Sequence, residues 1–255
     1  MCTPLHHVHT LARAHSQRLI DNRSTTRYDV HGLFGIFGDG DPIVGKPGKR
    51  YFAKYGGTKV AFMHKEACAM QNVSVVCETG FCAGLSALLL LEALPSARVL
   101  SFDLGDFPWA RPADAMLRER YHPSRFPGVV FGDAAKTIAN HHRVHPFSCD
   151  VVFVDGDKSF TGRYRSLVRL RAVSRLNAHV FMDEVTREDC INGTFDDDPH
   201  ERNCRGLNEN YWPSVRAYNR ASREGWLQVQ RCAWPATARY DGLCLATFVG
   251  EKRFD

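Results

Sequence analysis

The chain has 255 residues, 44% of them apolar, and a formal net charge of +5. That length buries a full core, as one large domain or two small ones, and so modest a charge without a Lys/Arg stripe among aromatics speaks against a nucleic-acid partner. No signal-type segment opens the chain and its longest apolar stretch, Leu85 to Glu92, is far too short to span a bilayer, so a cytoplasmic protein without membrane contact is expected.

Residues 1–70 differ from the rest and are expected to form an N-terminal arm or lid with helices, followed by one larger domain over 71–255. His6, His7, His9 and His15 have no fixed ligand spacing and predict a solvated helix face. The Gly/Pro-rich run from Gly32 to Gly48 is unsuited to regular structure. Nine cysteines, at 2, 68, 77, 82, 149, 190, 204, 232 and 244, include no close-spaced zinc-type pair, and the odd count predicts reduced thiols.

From residue 71 onward short apolar runs alternate with helix-length amphipathic segments. Strands are predicted over 73–77, 98–103, 128–131, 150–155 and 178–183, and helices over 84–94, 112–121, 133–142 and 160–175. Strands that are apolar throughout and separated by helices predict an α/β, doubly wound parallel sheet covered on both faces. The last of these helices carries Arg163, Arg165, Arg169, Arg171 and Arg175 around its circumference, which predicts a solvated face. A polar loop, 186–210, then leads to a helix over 212–224. Two final strands, 226–232 and 243–249, joined by a turn-rich link, predict one antiparallel strand near the C-terminus.

The chemistry-bearing residues fall at the ends of these strands, the edge at which open α/β sheets bind ligands. The first strand runs into Glu78-Thr-Gly80-Phe-Cys-Ala-Gly84-Leu-Ser86 and then a helix, so the backbone can approach a ligand beside a positive helix terminus. Its Gly80-x-x-x-Gly84 spacing is not the G-x-G-x-x-G dinucleotide fingerprint. The second strand ends at Asp103, suited to a ribose, and the third at Asp133-Ala134. The fourth ends in Asp155-Gly-Asp-Lys158, and Asp183-Glu184 closes the fifth, a spacing that predicts a metal site with a built-in base. Helix capping is the competing reading for each single acid, but four successive strands closed by acids favour a ligand site.

In this order, Glu-Thr-Gly-Phe-Cys-Ala-Gly-Leu-Ser, Phe-Asp103, Gly-Asp133-Ala and Val-Asp155-Gly-Asp-Lys158 resemble the class I S-adenosylmethionine-dependent methyltransferases. The chain is most similar, over about residues 57 to 250, to small-molecule O-methyltransferases of the caffeoyl-CoA, catechol and macrolide-sugar types. The resemblance implies a Rossmann-like fold and S-adenosyl-L-methionine as cofactor. It places Glu78, Gly80, Gly84 and Ser86 around the amino-acid part of that cofactor, Asp103 on its ribose and Asp133 with Ala134 near its adenine, with Asp155 close by.

The resemblance further implies that Asp155, Asp183 and Glu184 bind a divalent cation and that Lys158 is the base. Carboxylate ligands suit Mg2+ first, then Ca2+ or Mn2+. Glu184 stands where asparagine or aspartate is commoner, and many related chains carry histidine in place of Lys158. The implied reaction is methylation of a hydroxyl on a small molecule, and the resemblance allows a homodimer. The alternatives are a metal-independent N- or S-methyltransferase, an NAD-dependent oxidoreductase and a non-catalytic scaffold.

Overall fold

The computed structural model describes residues 2–21, 50–185, 212–234 and 242–250. Seven strands, β1 (Val75–Thr79), β2 (Arg98–Asp103), β3 (Val129–Phe131), β4 (Cys149–Val154), β5 (Ser174–Val185), β6 (Leu227–Ala233) and β7 (Gly242–Phe248), form one sheet of order β3-β2-β1-β4-β5-β7-β6. β1 to β5 pair in parallel. β7 runs antiparallel to both neighbours, β5 and β6, and is the one reversed strand among the described residues. This is the Rossmann-like, mostly parallel sheet anticipated above, and the order reverses at β1/β4, where such sheets open a crevice at their carboxyl edge.

Period-two alternation divides the core between the faces. Val76, Val99, Val151 and Phe153 point to one face, and Cys77, Leu100, Val152 and Val154 to the other. The first face receives α1 (Leu5–Asp21), α2 (Arg50–Ala69), α3 (Leu85–Ala93) and α4 (Ala110–Arg120); the second receives α5 (Ala134–Val144), α6 (Phe160–Ala172) and α7 (Trp212–Arg223). α3 is apolar except for Ser86 and Glu92, with Leu85 and Leu88 through Leu91 buried. Such a helix must be covered on its outer side too. α1 and α2 pack there, which explains how the N-terminal helices become part of the same core.

Three expectations are corrected. His15 is buried rather than solvated, with its Nε2 2.8 Å from the Ala83 carbonyl oxygen; helix α1 turns this face onto the turn before α3. Arg163 is fully buried rather than part of a solvated face, because its guanidinium serves the ends of β4 and β5. Among the described residues, six cysteines pair as Cys2–Cys68, Cys77–Cys149 and Cys232–Cys244 instead of standing as reduced thiols, while Cys82 is a free thiol; Cys190 and Cys204 lie outside those residues. In the first two pairs, partners 66 and 72 residues apart are brought together by topology that an odd count says nothing about. The Gly32–Gly48 run and the 186–210 loop, with its Asp196-Asp197-Asp198 run, lie outside the described residues. Among the described residues, no helix is long and apolar enough to cross a membrane.

Candidate active site

The carboxyl edge of the sheet carries two polar clusters side by side. At the first, Glu78 is fully buried at the end of β1 and accepts hydrogen bonds from Ser86 (2.7 Å) and Ser101 (2.5 Å). Burial pushes its carboxyl up to about 7, against the pull of the two hydroxyls, with Asp103 and Asp155 adding to the rise. The chain then turns at Gly80, whose φ is +88°, and a Cβ there would lie 2.5 Å from the Asp155 carbonyl oxygen. Glycine is required by the left-handed backbone and by the close approach of β4.

Gly84 opens α3 in the left-handed conformation. Between the glycines, the backbone N–H of Cys82 donates to one Asp103 oxygen (3.0 Å), and the Gly105 N–H donates to the other (2.7 Å). Asp103 is thus fixed at the rim, each oxygen retaining acceptor capacity toward a hydroxyl pair. Asp133 caps α5 by accepting from the Ala135 N–H at 3.0 Å, so at this position the capping role is realised, with Ala134 as the first helical residue. Beyond Asp103 the exposed Phe107 stacks on Trp109 at 4.9 Å, an aromatic step at the rim that strand-end reading had missed.

The second cluster joins the ends of β4 and β5. Lys158 forms ion pairs with Asp155 and, at 3.0 Å, with Glu184. Burial would lower the Lys158 ammonium, but the charge of Asp155 first, then Glu184 and Asp183, holds it above the ordinary lysine value. Asp155 is itself raised by burial, with Lys158 opposing and Asp183 reinforcing the rise. Glu184 has a φ of +59° at a register shift in the β5–β7 pairing. That kink carries its side chain to the buried Arg163 (2.9 Å), whose other nitrogen donates to the Val154 carbonyl at 2.7 Å. Burial first, then Asp155, pushes Glu184 up to about 7 despite Lys158 and Arg163.

Asp183 faces the opposite way. Lys59 of α2 reaches its Oδ1 at 2.8 Å, and Asp183 is lowered because Lys59 and then Lys158 outweigh the effect of burial. Behind the strands, the Tyr218 hydroxyl lies 3.0 Å from the Asp183 carbonyl oxygen and 3.2 Å from that of Val154. Lys59, Arg163 and Tyr218 are site residues that strand-end spacing did not single out; they come from helices, and only tertiary packing brings them here.

Three carboxylates, Asp155, Asp183 and Glu184, therefore meet three cations, Lys59, Lys158 and Arg163. Oxygen donors of this kind fit a hard divalent cation. Asp155 and Asp183 flank the opening, whereas Glu184 is committed to Arg163. A cavity of about 80 Å³ lies between the two clusters, its wall including Lys59, Gly80, Ser86, Phe153, Asp155 and Asp183.

No family model and no curated protein matches the chain. Solved structures do match. An O-methyltransferase from Bacillus cereus in complex with SAH has a TM-score of 0.59 at 16% identity, covering 92% of this chain and 90% of the other. The O-methyltransferase TomG from Streptomyces achromogenes, in complex with SAM, gives 0.57 at 22%, covering 75% and 79%. Fibrillarin from Aeropyrum pernix with natively bound S-adenosyl-L-methionine gives 0.50 at 14%, covering 73% and 74%. This chain has the fold shared by the class I S-adenosylmethionine-dependent methyltransferases, the O-methyltransferases among them.

Proposed function

We propose that the protein transfers a methyl group from S-adenosyl-L-methionine to a hydroxyl oxygen of a small molecule, assisted by a divalent cation at Asp155 and Asp183. The observation that carries this reading is the adjacency of the two clusters: the Gly80 turn touches the backbone of Asp155, so a cofactor over one lies beside an acceptor over the other. Holding the two reactants at that separation is itself a large part of the rate enhancement.

Glu78 would receive the cationic amino group of the cofactor and Asp103 its ribose hydroxyls. The divalent cation, Mg2+ foremost and Ca2+ or Mn2+ next, supplies Lewis-acid polarisation of the acceptor hydroxyl when bound. Lys158 is the candidate base. While it pairs with Asp155 it stays protonated and cannot accept a proton. It gains that capacity as Asp155 and Glu184 lose negative charge, because the same carboxylates hold its pKa up. Glu184, anchored by Arg163, holds the Lys158 ammonium at 3.0 Å, next to Asp155. The charge balance among three carboxylates and three cations favours one alternative, a metal-independent methyltransferase in which Lys59 and Lys158 neutralise the rim by themselves.

The test is titration calorimetry of S-adenosylmethionine with and without Mg2+, on the wild type and Asp183→Ala, followed by transfer of labelled methyl from the cofactor to a catechol. Cofactor binding with a Mg2+ signal that disappears in the variant is expected. Binding without any metal signal selects the metal-independent reading, and no cofactor binding removes the methyltransferase reading.

A further inference from the structure

A second polar cluster lies away from the rim, at the end of α3 remote from Gly84, roughly 14 Å along that helix. There Thr3 donates through its hydroxyl to Glu92 (2.9 Å) and places the preceding Cys2 against the last turns of α2. Cys2 and Cys68 pair as a disulfide with their Cα atoms 5.6 Å apart. His64, one helical turn before Cys68, brings its imidazole to the same point: Nε2 is 3.8 Å from the Cys2 sulfur, and the Cys68 sulfur lies 3.6 Å from Nε2 and 3.8 Å from Nδ1. One ligand atom from each of the three residues lies within 4.8 Å of the others.

A disulfide has no need of this imidazole, yet its orientation is fixed. His64 is buried, and its Nε2 lies 2.7 Å from the Thr3 carbonyl oxygen. A carbonyl can only accept, so Nε2 carries the proton and the lone pair resides on Nδ1, beside Cys68. Fixing a ring through its other nitrogen on a backbone carbonyl is how metal-ligating histidines are usually held. For a tetrahedral zinc site, Zn–S and Zn–N bonds put sulfur and nitrogen roughly 3.5 Å apart, close to the Cys68–His64 separation.

We propose that Cys2, His64 and Cys68 form a thiol-based site for a thiophilic divalent cation such as Zn2+, formed when the disulfide is reduced. A dithiol or phosphine reductant supplies two electrons, and two protons complete the thiols. The cation then displaces both thiol protons and is held by two thiolates and neutral Nδ1, with water in the fourth position. Two negative ligands cancel the charge of the ion, which suits a partly buried place, and sulfur with imidazole selects Zn2+ over the hard ions suited to Asp155 and Asp183. The site bolts the segment before α1 to α2, the helix that carries Lys59 to the rim. No cysteine spacing reveals it, since its thiols come from opposite ends of the N-terminal region.

The test uses the full chain, reduced by a phosphine, with excess Mg2+ to occupy the oxygen site, titrated with Co2+ and then Zn2+. One equivalent of Co2+ with a thiolate-to-metal charge-transfer absorption, displaced by Zn2+, is expected. The absorption should vanish in the oxidised protein and in the Cys2→Ser, Cys68→Ser double variant. His64→Ala should weaken Zn2+ binding by at least about tenfold. Cys2→Ser alone, which alters no helix, gives the same reading should the other variants misfold. Reduced wild type without the absorption, or with the same stoichiometry and affinity as Cys2→Ser, would overturn the proposal.

Discussion

The two clusters at the carboxyl edge solve the burial of carboxylates in opposite ways. Around Glu78 and Asp103 the partners are neutral hydroxyls and backbone N–H groups. Around Asp155, Asp183 and Glu184 they are full cations. A hydroxyl-lined acid near its midpoint can change charge when a cation arrives, so the first cluster is suited to meet the ammonium of a ligand. In the second, charges already compensated are exchanged rather than created, and an incoming cation must compete with lysines.

The largest expected effect comes from breaking the second cluster at its buried cation. Arg163→Met leaves Glu184 without its guanidinium and should cost about 3–5 kcal/mol in urea unfolding. In the first cluster, Glu78→Gln tests the neutral environment through pH. The folded pKa of Glu78 is raised to about 7 from 4.5, so its stabilising contribution is complete below about 4.5 and lost as pH rises through about 7. Wild-type stability relative to Glu78→Gln should therefore fall between pH 4.5 and 7.5 by roughly 3 kcal/mol. The same ionisation predicts that cofactor affinity rises with pH over this range with proton release, visible as buffer-dependent calorimetric heats.

Asp183→Ala should weaken Mg2+ or Mn2+ binding by about 100-fold, just under 3 kcal/mol, while cofactor binding persists; equal loss of both would erase the distinction between the clusters. Lys59→Met removes the ammonium that competes for Asp183 and should tighten Mn2+ binding about tenfold, with Lys59→Arg close to wild type; weaker binding in Lys59→Met would make Lys59 a support instead. At the low end, Lys136→Ala deletes an exposed pair with Asp133 at 4.0 Å and should change stability by less than about 0.5 kcal/mol.

Much of this arrangement was legible because parallel strands write their ends into the chain. Arg98–Asp103 was read with its boundaries intact, and the reversed strand followed from the loss of helical alternation after Asp183. β5 begins at Ser174, earlier than read, because the polar residues before Ala178 hide its start. The cations opposite the acids were less accessible. Lys59 lies in a helix whose register against β5 is decided by packing, and Arg163 looked like one of many solvated arginines until the strands closed over it. Local composition carries strand ends well; it carries little about which helix side chain lies across them.

The contact at Gly80 carries a mechanical consequence. With the Asp155 carbonyl occupying the place a side chain would need, the two turns behave as meshed teeth: neither can advance without pushing the other. A pull on the first turn is transmitted directly to Asp155, whose backbone N–H donates to the Thr79 carbonyl at 2.9 Å, without a chain of intermediate side chains. Even one added methyl at residue 80 would force the teeth apart, disturbing in one step the spacing between the two polar clusters.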